Sequence, residues 1–246
     1  MADVSQGRFR NNLLRRLPER SLARLAPQLE RIALPRSYQL SSPHQPMDHA
    51  YFFESGIASV VVRSPEGQHT EIGIIGRDGM CPTAAILDTD VDPFSVFMQM
   101  QGEACRIAIP ALKAALEDDR EAQGLFSRYT QALAVQHAYT ALSNAVHHID
   151  ERLARWILMC HDRADGADIS LTHEFLSIML AVRRPSVTTA LHVLEGKKLI
   201  YSERGVIIVR DRAGLEAFAR DAYGECEKEY ERLIGPLADE SMSGSD

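Results

Sequence analysis

The spacing of apolar residues changes three times along this chain. From Asn11 to Arg31 they recur every three or four positions, broken by Pro18 and Pro27. This predicts one or two short helices. From about residue 32 to 109 the spacing shortens. "AYFFESGIASVVVRSPEGQHTEIGIIGRDGM" holds short β-branched and aromatic runs separated at Glu54–Gly56, Pro65–Gly67 and Gly76–Gly79, and "FSVFMQMQGEACRIAI" alternates apolar with polar. Short strands with a turn every eight to twelve residues predict a sandwich or barrel.

Helical spacing returns after Pro110. Residues 111–149 hold no proline and one glycine, Gly124. Val135, Tyr139, Leu142, Val146, Ile149, Leu153 and Trp156 follow one another in steps of four and three, the seam of two helices packed along their length. The pattern alone leaves two readings open: a long helix lying on its own β domain, or a helix that joins two chains. Asp150, in "HHIDER", is placed to N-cap a fresh helix.

Residues 171–209 predict two helices and a hairpin. Leu171, Phe175, Ile178 and Met179 form the first stripe, with Thr172 as N-cap and a corner at Ala181 and Val182. Pro185 suits the first position of the second helix, where its missing N–H has no partner to lose. Val187, Ala190, Leu191 and Leu194 form that helix's buried face, and Gly196 its C-cap. "LIYSERGVIIV" reads as two strands around Glu203–Gly205, with Gly205 suited to positive φ. Two short helices followed by a hairpin make a winged helix-turn-helix, whose second helix enters the major groove.

Charge sharpens this reading. The net charge is −7, so a polyanion must be met by a local patch. Between residues 183 and 198 the balance is +3, from Arg183, Arg184, Lys197 and Lys198 against Glu195. The residues predicted to face DNA are Thr172, Arg183, Arg184, Pro185, Ser186, Thr188, Thr189, His192 and Lys197, with Arg204 at the wing tip. One arginine is suited to guanine O6 and N7 and the other to a phosphate.

Other chemistry finds little footing. The four cysteines form no CxxC pair, which speaks against a disulfide framework or a metal cluster of known spacing. No apolar run approaches the ~20 residues of a membrane span, and the N-terminus lacks the apolar core of a signal peptide, so a cytoplasmic protein is expected. His147, His148 and His161 do not share a helix face as metal ligands would. Glu71, Asp78 and Asp88 are read at strand ends and turns, without a partner that would make them catalytic. No enzyme activity, metal or cofactor is expected, and a cupin-like catalytic barrel would need a His/carboxylate triad.

The order of these parts resembles the Crp/Fnr family of bacterial transcription regulators. "LTHEFLSIMLAVRRPSVTTALHVLEGKKLI" and "FFESGIASVVVRSPEGQHTEIGIIGRDGM" carry the resemblance most strongly, and "QGEACRI" looks like the strand after the effector pocket. It implies an α+β chain: a cyclic-nucleotide-binding-like sensor β-roll with N-terminal helices (1–110), a long dimerisation helix (111–149) and a winged helix-turn-helix (150–246). It also implies a homodimer, joined through Val135, Tyr139, Leu142, Val146 and Ile149, on a palindromic double-stranded operator, and leaves room for a contact with RNA polymerase. The chain departs from the family pattern in several places. Cyclic-AMP-binding members grip the phosphate with an arginine–serine pair, whereas "ILDTDVDPFSVFMQMQ" has no cation and is acidic at 88, 90 and 92. No cyclic-AMP binding is expected, and the effector is left unassigned. No cysteine precedes Cys81, where oxygen-sensing members carry a cluster, and His44, His49 and His69 read as surface residues, not haem ligands. Of the arginine–glutamate–arginine set that reads bases in cyclic-AMP-responsive members, Arg184 matches the first position, while Pro185 and Thr189 replace the others. The rival reading is a small-molecule sensor or interaction module whose winged helix binds protein and not DNA.

Overall fold

The computed structural model describes residues 6–89, 91–164, 166, 168–171 and 173–237. After a 3-10 turn at Gln6–Arg8, the described residues form α1 (Asn12–Arg16) and α2 (Glu19–Leu25), separated at Pro18. The Asn11 side chain caps α1, accepting from the Leu13 and Leu14 amides at 3.1 Å. Leu13, Leu14, Leu17, Leu22 and Leu25 are fully buried, so the three-to-four spacing forms one apolar face against the sheets that follow.

Strands β1 (Glu30–Leu34), β2 (Gln39–Ser41), β3 (His49–Phe53), β4 (Ile57–Arg63), β5 (His69–Ile75), β6 (Met80–Cys81), β7 (Ser95–Met100) and β8 (Gly102–Ala108) build a roll. It consists of two antiparallel sheets, ordered β1-β8-β3-β6 and β2-β7-β4-β5. The apolar runs become strands buried along much of their length, as in β4, where Ile57 to Val61 are all buried.

The helical stretch expected to run unbroken over 111–149 is two helices, α3 (Ile109–Leu116) and α4 (Arg120–Val146). Asp118 adopts a left-handed φ of 58°, and Asp119 caps α4 through the Ala122 amide at 3.1 Å. A capping aspartate ends one helix and starts the next without proline or glycine. One side of α4, including Phe126, Tyr129, Leu133 and Gln136, packs on the roll. The Gln136 amide accepts from Ile74 N at 2.8 Å and donates to Ile74 O at 3.2 Å, pairing with β5 as another strand would. Gly73 allows this approach: a Cβ there would sit 2.6 Å from both Gln136 Oε1 and the His137 ring.

The seam of fours and threes does not run through. α4 ends at Val146, and α5 (Ile149–Arg163) begins after His147 and His148. The N-cap is His148, not Asp150, because the Glu151 carboxylate reaches back to the His148 amide at 2.9 Å. Leu153 and Trp156 therefore belong to a second hydrophobic cluster, with Leu176, Val187, Leu191, Leu194, Ile207 and Leu215.

That cluster is wrapped by β9 (Asp168–Ser170), α6 (His173–Met179), α7 (Arg184–Gly196), β10 (Ile200–Glu203), β11 (Val206–Val209) and α8 (Arg212–Ala219). The predicted hairpin gains a third strand, giving the order β10-β11-β9. The last described helix, α9 (Glu225–Leu233), returns to the N-terminal half and lies against α4. There Tyr230 joins the first cluster, Arg128 Nε donates to Leu233 O at 2.9 Å, and Asn12 Nδ2 donates to Pro236 O and Leu237 O at 3.3 Å.

Candidate nucleic-acid interface

The α6–α7 corner turns on Ala181, whose φ is 49°. The amides of Leu180, Ala181 and Val182 return to Leu176, Ile178 and Ser177 carbonyls at 3.0–3.2 Å, and Arg152 of α5 donates to Leu180 O. α7 starts one residue earlier than the proline suggests: Arg184 is its first residue and Arg183 its N-cap, in extended geometry. Val187, Ala190, Leu191 and Leu194 are buried as the stripe predicts. The opposite side presents Arg183, Arg184, Pro185, Thr189 and His192, all exposed, with Ser186 and Thr188 half-buried beside them. Thr188 Oγ1 donates to Arg184 O at 3.3 Å and Thr189 Oγ1 to Pro185 O at 3.1 Å, so each hydroxyl proton is engaged by its own helix. α7 runs on through Gly196. The left-handed position expected at Gly196 falls instead on Lys198, at φ 62°. Lys197 lies at this far end with its ammonium 5.5 Å from the Phe218 ring centroid. At the wing tip Gly205 has φ 81°, and Arg204 is 91% exposed, 3.7 Å from Glu203. Thr172 lies outside the described residues.

Residues 151–218, which span α5 through most of α8, match the Crp-like helix-turn-helix domain family. FixK2 from Bradyrhizobium japonicum is similar over 78% of this chain and 98% of its own, with a TM-score of 0.67 at 13% identity. A Crp-family transcriptional regulator from Thermus thermophilus covers 77% of this chain and 96% of its own, with a TM-score of 0.62 at 19% identity. The chain has the Crp/Fnr fold. The c-di-GMP-responsive global regulator of Xanthomonas campestris shares it at 15% identity and a TM-score of 0.58, over 77% of this chain and 97% of its own. No curated protein matches the sequence.

In this chain the helix-turn-helix is docked on the roll. The indole Nε1 of Trp156 donates to Glu71 Oε1 at 2.9 Å, and Arg163 donates to Asp78 Oδ2 at 2.7 and 3.0 Å with both side chains buried. Phe175 of α6 lies 6.3 Å from Phe97 of β7 and 4.5 Å beneath the Arg36 guanidinium. Glu71 and Asp78 thus each hold a side chain of the helix-turn-helix half, an indole and a guanidinium. Glu71 points inward from β5, where burial pushes its carboxyl up to about 7. Asp88 is exposed and pairs with Lys113 at 2.9 Å.

The Gly76–Met80 turn is a meeting point that sequence reasoning missed. Besides Arg163, it receives Tyr230 Oη on Asp78 O at 2.6 Å, Asn11 Nδ2 on Gly79 O at 2.7 Å, and Tyr129 Oη on Met80 O at 2.9 Å. A Cβ at Gly79 would fall 2.2 Å from Tyr129 Oη, so the second of the two glycines read as punctuation also admits a phenol, while Gly76 faces the Arg163 side chain. His137 was missed as well. Its ring lies against Gly73 and 6.2 Å from Phe94, and burial pushes its imidazole down to about 4.

The seam residues divide. Leu142 and Val146 are 49% and 62% exposed, while Val135, Tyr139 and Ile149 are half-buried at the edge of the packed face. The exposed side of α4 is completed by Ala134, Ala138, Ala141 and Ala145, and no Asp, Glu, Lys or Arg occurs from Tyr129 to Val146. Among the described residues no group of His, Cys, Asp and Glu could hold a metal ion, and no helix is long and apolar enough to cross a membrane.

Proposed function

We propose that the chain is a homodimeric, sequence-specific DNA-binding transcription regulator, with α7 as the recognition helix. The observation that carries this is the exposed row of Arg183, Arg184, Pro185, Thr189 and His192 at the N-terminal end of α7, on a protein of net charge −7. Arg184 reads a guanine edge and Arg183 holds a phosphate. Thr189, with its hydroxyl proton engaged, offers its methyl to thymine. Ser186, Thr188, Lys197 and Arg204 supply flanking contacts to the backbone. A DNA target places the protein in the cytoplasm, and a regulatory role needs no catalytic centre.

The exposed, uncharged side of α4 supports the dimer. Two such helices side by side bury Leu142 and Val146, and the alanines allow close approach. In these terms residues 1–110 form the sensor, α4 the dimer helix and 150–246 the DNA-binding part. A degenerate effector pocket, with no cyclic-AMP binding, is supported by two features. Residues 86–101 hold no cation, and Gln136, His137 and the buried Glu71 crowd the space between β5 and α4. A cyclic phosphate at residues 86–101 would find no charged donor to pair with.

The experiment is selection of bound sequences from random duplex DNA by the purified full-length chain, followed by salt titration. A recovered palindrome with half-sites about one helical turn apart, and affinity falling steeply with salt, is expected. No retention of DNA at any salt would overturn the proposal and favour a winged helix that binds protein.

A further inference from the structure

Before any DNA arrives, Arg184 already has an ionic partner. Its Nη2 lies 3.2 Å from Oε1 of Glu174, in the first turn of α6, with both side chains about two-thirds exposed. Arg183 has no ion pair among the described residues. The two arginines at the tip of α7 are therefore in different states: one held and neutralised, one bare.

A carboxylate is an odd neighbour for a surface that meets a polyanion, since nearby phosphates repel it within a Debye length of ~10 Å. It also does two useful things. A guanidinium has five N–H donors in a rigid fork, so one donor can stay on Glu174 while another edge remains open to guanine O6 and N7. An arginine pinned in this way gives up less rotamer freedom when it docks. A neutralised arginine is also a poorer trap for a phosphate, which carries no sequence information. We propose that Glu174 is a positioning residue that sets specificity: it aims Arg184 at a base edge and withholds it from the phosphate backbone. This rests on the DNA-binding reading above.

The test uses the full-length chain, an operator selected from random duplex, a panel of that operator with single symmetric base changes, and an unrelated duplex at several salt concentrations. Exposed ion pairs shift equilibria by about two- to five-fold, which sets the expected scale. Glu174→Gln should bind the unrelated duplex about two- to five-fold more tightly. It should lose a similar factor of discrimination at one symmetric pair of positions only, those read by Arg184. Glu174→Asp should recover part of that discrimination, which a merely structural role would not produce. In an Arg184→Ala background, Glu174→Gln should leave discrimination at those positions unchanged. Wild-type discrimination in Glu174→Gln, a loss spread evenly over all positions, or a loss that persists without Arg184 would each overturn the inference. Sequence-specific binding that ignores Glu174 refutes this role alone. A wild-type chain that prefers no sequence refutes the DNA-binding reading and this role with it.

Discussion

Two residues sit in places their chemistry disfavours, and both give measurable consequences. Glu71 is a carboxyl in the interior, where burial raises its pKa from 4.5 to about 7 despite the Ser59 hydroxyl, the Trp156 indole and the Arg155 charge nearby. Between these two values the folded chain binds more protons than the unfolded one, so stability falls as pH rises through that window and is lowest above pH 7. At the conversion for one pKa unit this amounts to about 3 kcal/mol. Glu71→Gln should therefore match the wild type near pH 4.5 and exceed it in stability at pH 8, as read by denaturant unfolding at each pH. Ala181, exposed at φ 49°, bears a Cβ where a left-handed turn favours none. Ala181→Gly should raise Tm by about 2–4 °C for a gain of ~1 kcal/mol. Neither site was legible in the sequence. A glutamate in an alternating strand reads as its wet face, and "LAVRR" places a corner without saying which residue turns left-handed.

At the scale of elements, α4 differs most from its sequence pattern. The apolar repeat located a helix correctly but mixed two environments: Leu142 and Val146 face out, while Leu153 and Trp156 lie in another core. A periodicity cannot register a break made by His147 and His148, nor one made by Asp118 and Asp119, because the capping residues involved are common on helix surfaces. The strands of the roll and the α6–α7 pair were legible because period two and period 3.6 leave different apolar spacing. β9 is too short to show a period, and α9 is amphipathic against a distant helix. Replacing Leu142 and Val146 together by glutamate should convert a dimer to monomers at micromolar concentration, because a buried unpaired charge costs several kcal/mol. Sedimentation velocity reads this directly, and a wild-type monomer over that range would remove the basis for the dimer.

For the molecule as a whole, the Gly76–Met80 turn ties the halves together. Asp78 and Arg163 form a buried ion pair across them, and losing one partner of such a pair typically costs about 3–5 kcal/mol. Asp78→Ala should lower stability by that order and split a single calorimetric transition into two, one for each hydrophobic cluster. Part of the same union is made by the last described stretch of chain, with Tyr230 on Asp78 and Pro236 and Leu237 on Asn12. This has a bearing on biogenesis. During synthesis the roll and the helix-turn-helix, with their own ties through Trp156 and Arg163, are complete before this last segment leaves the ribosome, so the nascent chain passes through a stage in which α9 is unfastened. Because residues 12 and 237 adjoin, a circular permutant that keeps every residue, joins the two ends of the chain through a flexible linker and opens at the exposed turn around Gly67 should fold. In that permutant the fastening segment is translated next to its seat, and the unfastened stage is shortened.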